Sequence, residues 1–328
     1  MRKKLLLIVN PSAGQKKGKK YLADIVRLYN SYGYDCVTYV TGCQGDARQY
    51  LKENVKTGDY ERIICIGGDG TLNETVSGLA QGDIYCPVGY IPAGSTNDYA
   101  HTLNLSTDIM QAAKDTVEGV IFEFDLGRFD QRHFIYTASC GAFAKASYST
   151  NQVAKNMLGY LAYVFEGLKE IPNIKPIHIT VETENETLEG DYLFCGITNT
   201  VTYGGIFKLD KERIRLNDGL FEVMLVKTPA NAAQLTKIAV ALHNQDMPSE
   251  MIDFFTAKKM TITTDREMEW TLDGERGETG TEFKVENLHK RIELILPERA
   301  INNVPAEYPQ LPGAEEADDE AEEYDAED

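Results

Sequence analysis

Arg62-Ile63-Ile64-Cys65-Ile66-Gly67-Gly68-Asp69-Gly70-Thr71-Leu72 reads as a β-strand that runs into a glycine loop and then into a helix. The β-rich run Arg62–Ile66 suits a strand of a parallel sheet covered by helices, and Leu72, Val76, Leu79 and Ala80 recur at helical spacing after the loop. Such a junction points unblocked backbone N–H groups along the positive end of a helix dipole, where phosphate oxygens are stabilised. Glycine is needed there because a side chain would hold the phosphate away. Taken alone, the loop also reads as a tight strand-to-helix turn without a ligand.

The same alternation continues on both sides. Leu5–Val9, Cys36–Val40 and Val88–Ile91 are short β-rich runs, while Leu22, Ile25, Val26 and Tyr29, and then Ala47, Tyr50, Leu51 and Val55, form helical faces. This predicts an N-terminal α/β domain, a parallel-type sheet flanked by helices, over residues 1–122. From residue 123 to 296 the pattern is β-rich. Strands are predicted at Phe122–Phe129, Phe134–Ser139, Ile177–Glu184, Leu188–Thr198, Phe221–Lys227, Lys259–Thr264 and Ile292–Leu296, with helices over Val153–Glu170 and Ala230–His243. A cleft is expected between the two.

Asp69 decides the ligand class. A dinucleotide fingerprint would read G-x-G-x-x-G, and a Walker loop would end in Gly-Lys-Ser/Thr; neither fits. A carboxylate amid glycines would repel phosphates unless a divalent cation or a proton-donating hydroxyl lies between, which suits phosphoryl transfer. Two further loops, Asn10-Pro11-Ser12-Ala13-Gly14 and Pro92-Ala93-Gly94-Ser95-Thr96-Asn97-Asp98, leave the first and fourth strands at the same sheet edge. Each could be only a helix cap. Three at the edge where open α/β sheets bind ligands favour a site.

Composition narrows the classes. There are 33 Lys and Arg against 51 Asp and Glu, which argues against nucleic acid as a partner. Residues 315–328 hold ten of those acids and no base, so 313–328 reads as an acidic disordered tail. No segment approaches the ~18 apolar residues that span a bilayer. Met1-Arg2-Lys3-Lys4 imitates a signal peptide, but only five apolar residues follow before Asn10-Pro11, and these read as a first strand. Cys36, Cys43, Cys65, Cys86, Cys140 and Cys195 form no Cys-x-x-Cys pair and read as small core residues in a reducing compartment.

The three N-terminal loops, with Asn73 and Glu74 extending the second, together resemble the catalytic-domain signature of the diacylglycerol kinase family. Gly141-Ala142-Phe143, Tyr203-Gly204-Gly205, Asn217-Asp218-Gly219-Leu220-Phe221 and Leu272-Asp273-Gly274-Glu275 are similar to the soluble bacterial, YegS-like lipid kinases of that family. The resemblance implies an NAD kinase/diacylglycerol kinase-like fold whose second domain is an antiparallel β-sandwich, with residues 297–312 returning to the first domain. It implies ATP and Mg2+ as cofactors. Gly67, Gly68, Asp69, Gly70, Thr71, Leu72 and Asn73 would hold the ATP phosphates, with Asn10, Pro11, Ser12, Ala13, Gly14, Thr41 and Thr96 completing the pocket. Glu275 would be the base and Asp273 its acidic neighbour, with Asp69 and Asp98 beside Mg2+. Asp218 would hold a structural Mg2+ with the backbone oxygens of Arg215 and Leu220; from the residues alone, Asp218-Gly219 reads as a hairpin turn.

The implied reaction is ATP-dependent phosphorylation of diacylglycerol to phosphatidic acid by a cytoplasmic protein peripherally associated with the membrane. Other lipid alcohols, namely a sphingoid base, a monoacylglycerol or phosphatidylglycerol, stay open, as do a kinase of soluble nucleotides or sugars and a catalytically silent nucleotide-binding regulator. A homodimer stays open too. Lys16, Lys17, Lys19 and Lys20 follow the first loop and suit an anionic membrane, assisted by Tyr160–Phe165; a solvated helix start and core packing are the plain alternatives.

Overall fold

The computed structural model describes residues 2–14, 17–95, 97–142, 175–200, 202–203, 207–208 and 214–301. Thr96, Lys16, the helix over 153–170 with its Tyr160–Phe165 stretch, Phe143, Gly204, Gly205, most of the 297–312 return and the tail lie outside them.

The chain opens with β1 (Lys3–Val9), α1 (Lys17–Ser31), β2 (Tyr34–Val40), α2 (Asp46–Asn54), β3 (Arg62–Gly67), α3 (Asp69–Gln81) and β4 (Val88–Pro92). The four strands pair in parallel in the order β2-β1-β3-β4, with Leu7 opposite both Thr38 and Ile64, and Cys65 opposite Tyr90. Both faces of the inner strands are covered, so Leu5–Val9, Ile63–Ile66 and Val88–Ile91 are buried throughout, while the edge strand β2 leaves Asp35 and Thr38 exposed. Leu6, Ile8, Ile63 and Cys65 pack on Leu51 of α2 and Leu72 and Val76 of α3. Leu5, Leu7, Ile64 and Ile66 face Ile25 and Tyr29 of α1. Two helices follow β4, α4 (Asp98–Thr102) and α5 (Ile109–Glu118), and α5 joins the second of these layers through Ile109, Ala112 and Ala113.

The rest is antiparallel apart from one junction. It comprises β5 (Val120–Phe129), β6 (Arg132–Phe134), β7 (Thr137–Gly141), β8 (Ile177–Thr183), β9 (Thr187–Thr198), β10 (Thr202–Tyr203), β11 (Phe207–Lys208), β12 (Phe221–Lys227), α6 (Ala232–Asn244), β13 (Ile252–Ala257), β14 (Lys259–Leu272), β15 (Glu275–Leu296) and α7 (Glu298–Ile301). Its core gathers Trp270, Phe129 and Phe283, whose rings lie 4.8 to 5.6 Å apart. β15 pairs with β14 and β5, and near its end Leu294 meets Val88 of β4 in parallel, so one sheet runs through both halves. At the start of the return segment, Arg299 Nη1 donates to Asp115 Oδ1 of α5 at 2.8 Å. No described helix is long and apolar enough to cross a membrane.

Several expectations need correction. The strand predicted over Phe134–Ser139 is two strands, because the N–H groups of Ile135, Tyr136 and Thr137 turn to the Asp273 carboxylate at 2.7, 2.9 and 3.0 Å. β13 went unpredicted, and β14 and β15 extend far beyond the runs at 259–264 and 292–296 because their middle stretches are polar and half solvated. The Asp-Gly hairpin occurs at Asp273-Gly274, with φ of 49° and 77°. Asp218-Gly219 is not such a hairpin, since the following β12 pairs with β9 and β13. Cys43 is exposed rather than part of a core.

Candidate active site

The loops leaving β1, β2, β3 and β4 meet at the carboxyl edge of the parallel strands. Asn10 ties two of them together: its N–H bonds Ile66 O at 2.9 Å, its Nδ2 donates to Thr71 Oγ1 at 3.1 Å, and its Oδ1 accepts Ser12 N–H at 2.9 Å. Thr41 N–H donates to Val9 O at 2.9 Å. A Cβ on Gly94 would come within 2.7 Å of Gly68 Cα, so only two glycines let the loops after β3 and β4 pack backbone to backbone. Gly68 is the N-cap of α3 and offers no side chain, so the helix's amino end stays uncovered toward a cleft of about 360 Å3.

Of the predicted nucleotide-binding residues, Asn10, Ser12, Ala13, Thr41, Gly68, Gly70 and Thr71 line this cleft. Leu72 does not: its side chain is buried in the core, and only its N–H serves the turn, donating to Gly68 O. Gly67 ends β3 behind Thr71, Gly14 packs against Ala93 O, and Pro11 lies off the cleft. Asn73 faces a neighbouring groove and donates to Asp273 Oδ2 at 2.7 Å.

The three predicted catalytic acids part company. Glu275 is exposed at the cleft, where its Oε1 lies 2.5 Å from the position a Cβ on Gly70 would take, and its Oε2 accepts from Gln44 Nε2 at 3.2 Å. Asp273 is buried and accepts from Asn73 Nδ2 as well as from the N–H groups of Ile135, Tyr136 and Thr137. Burial pushes its carboxyl up to about 6, while the four donors pull the other way. Asp69 turns from the cleft and accepts Asp98 N–H at 2.9 Å and Tyr99 N–H at 3.2 Å, fixing the start of α4. Burial raises its pKa against those same bonds. In this structure the Asp69 and Asp273 carboxylates are engaged by backbone N–H groups, and of the three only Glu275 lines the cleft. Asp98 meets Asp69 through its backbone, with its own side chain exposed.

Glu74, Gln44, Cys43 and Gly94 also line the cleft and were not assigned to it from sequence. Glu74 directly follows the glycine loop, and its Oε1 accepts Gly45 N–H at 2.6 Å, pinning the amino end of α2. Position in the motif could have flagged Glu74; nothing local flags Gln44.

The predicted metal residues lie apart, in the second half. Asp218 Oδ1 accepts Leu220 N–H at 3.0 Å, and Leu220 O accepts Asn287 Nδ2 at 3.0 Å, leaving that carbonyl a second lone pair. Burial first, then the charges of Asp218 and Asp125, push Glu222 up to about 8. Among the described residues, no group of three or more His, Cys, Asp or Glu side chains is arranged to hold a metal, so a cation here would depend on the Arg215 and Leu220 carbonyls.

Comparison with known proteins places this architecture. Residues 4–129 match the diacylglycerol kinase catalytic domain, and residues 137–291 the YegS C-terminal NAD kinase beta sandwich-like domain. A crystal structure of a diacylglycerol kinase from Bacillus anthracis str. Sterne superposes with a TM-score of 0.68 at 23% identity, over 92% of this chain and 99% of that one, a likeness of fold. Diacylglycerol kinase of Staphylococcus carnosus (strain TM300) is 32% identical over 92% of this chain and 98% of its own length. That of Bacillus subtilis (strain 168) is 34% identical over 90% of this chain and 97% of its own. Identity at that level along nearly the whole of both sequences makes this chain a member of the diacylglycerol kinase family, phosphotransferases that act on an alcohol group.

Proposed function

We propose that this lipid kinase transfers the γ-phosphoryl group of ATP to the free hydroxyl of diacylglycerol, giving phosphatidic acid and ADP. The observation that carries the reading is the Glu275 carboxylate standing over Gly70, at the uncovered amino end of α3. A lipid hydroxyl is far too weak an acid to ionise at neutral pH, so a carboxylate must receive its proton as the oxygen attacks phosphorus. Glu275 takes that proton while the backbone around Gly68 and Gly70 holds phosphate oxygens. Asp69 keeps α4 against the site, and Asp273 keeps the Glu275 hairpin against α3. Mg2+ bound with the nucleotide would supply charge neutralisation. A second Mg2+ at Asp218 and the carbonyls of Arg215 and Leu220 would be structural.

The exposed Lys19 and Lys20 on α1, beside the β1 loop, support docking on an anionic membrane surface from the cytoplasm, each adding about 1 kcal/mol near such a surface. Labelled ATP and Mg2+ offered with micelles of dioleoylglycerol, monooleoylglycerol, sphingosine or phosphatidylglycerol should yield labelled phosphatidic acid foremost. Label entering another lipid instead would overturn diacylglycerol as substrate. Label entering only NAD or a sugar phosphate would overturn the lipid acceptor itself.

Gly70→Ala tests the carrying observation. The new methyl would meet only the movable end of Glu275, so the helix should tolerate it and gain roughly 0.5–1 kcal/mol in stability. Turnover should nevertheless fall by roughly 10²-fold, because the carboxylate is displaced by about an ångström or more. Unfolding curves and initial rates on the same preparation check both; wild-type rates would remove Glu275 from that position during the reaction.

A further inference from the structure

The β2–α2 loop reaches across the cleft to the second half of the molecule. Gln44, exposed at its tip, donates from Nε2 to Glu275 Oε2 at 3.2 Å. The residues around Gln44 are pinned. Gly42 N–H donates to Asp46 Oδ2 at 2.6 Å, Tyr39 OH donates to Asp46 Oδ1 at 2.6 Å, and Gly45 N–H donates to Glu74 Oε1 at 2.6 Å. Tyr39 also stacks on Tyr50 of α2 with ring centroids 3.7 Å apart. Gln44 is thus the movable tip of a fixed loop. Glu74 also lines the cleft, and burial, with a smaller contribution from the Glu275 charge, raises its pKa.

We propose that Gln44 is a positioning residue for the phosphoryl transfer: by holding Oε2 of Glu275 it leaves Oε1 over Gly70, and so sets which oxygen receives the acceptor's proton. The proposal rests on Glu275 being the base. It adds that the first half of the chain, not the hairpin alone, orients that base.

The test pairs two replacements of nearly equal length, Gln44→Met, which removes the donor, and Gln44→Glu, which turns attraction into repulsion. Both are assayed with dioleoylglycerol micelles, ATP and Mg2+, alongside Glu275→Gln and the double variant Gln44→Met/Glu275→Gln. We expect kcat to fall about tenfold in Gln44→Met, as befits a lost hydrogen bond to a charged group, and further in Gln44→Glu. KM for ATP should stay within about twofold, and Gln44→Met should cost nothing more once Glu275 is Gln, because coupled residues are not additive. Wild-type kcat in both Gln44 variants, a raised KM for ATP with unchanged kcat, or an undiminished fall in the double variant would each overturn the proposal while leaving Glu275 as base. Wild-type turnover in Glu275→Gln would overturn the base assignment, and the positioning role with it.

Discussion

Glu275→Gln is expected to lower kcat by roughly 10²–10⁴-fold, the span of a lost general base, with the unfolding midpoint within about 2 °C of wild type, as for an exposed substitution of under ~0.5 kcal/mol. Both halves of that expectation come from where the side chain sits. Glu275 is exposed at the first position of β15, and its hairpin is anchored by its neighbour Asp273, whose bonds the substitution leaves alone. Glutamine keeps the length and can still meet Gln44, but it cannot take up a proton at neutral pH. KM for ATP should change little, because phosphate binding falls to the backbone N–H groups of the glycine loop, which the substitution leaves in place. A variant that folds, binds ATP and transfers phosphate at more than about a tenth of the normal rate would move the base elsewhere. Glu74, the other carboxylate lining the cleft, would then be the next to test, although its Oε1 already serves the Gly45 N–H.

What the sequence revealed and what it concealed follow from contact distance. The parallel strands were legible because burial on both faces makes Leu5–Val9 and Arg62–Ile66 continuous apolar runs, and because glycines mark the places where β3 and β4 loops touch. The cleft residues Asn10, Ser12, Ala13, Gly68, Gly70 and Thr71 were legible for the same reason, each close in sequence to a strand end. Gln44 was not legible, since its partner lies 231 residues away and a glutamine in a loop has no local signature. Asp69 stands out in the sequence as an acid in a glycine loop, but its orientation is set by the N–H groups of Asp98 and Tyr99, which no reading of residues 62–72 contains. The long strands β14 and β15 escaped because their polar middles are held by pairing with each other, with β8 and with β5 rather than by apolar alternation.

Asp273→Ala should be the most destabilising single change in the site, on the order of 3–5 kcal/mol. The carboxylate accepts four hydrogen bonds at 2.7 to 3.0 Å, three of them from consecutive backbone N–H groups at the break between β6 and β7. Alanine leaves all four donors without that acceptor, and a buried unmade bond costs about 1–3 kcal/mol each before water or rearrangement recovers part of it. Backbone adds to the case. Asp273 has φ of 49°, a left-handed conformation that aspartate tolerates better than alanine, so the hairpin loses its turn residue along with its anchor. Turnover should vanish as well, because the same carboxylate ties the Glu275 hairpin to Asn73 of α3. Asp273→Asn separates the two effects: it keeps the size and turn preference but points an NH2 group at one set of donors, so it should fall between wild type and alanine in denaturant midpoint. Should Asp273→Ala unfold at the wild-type midpoint yet lose all activity, Asp273 would be acting on substrate directly, and its role as an anchor would be wrong.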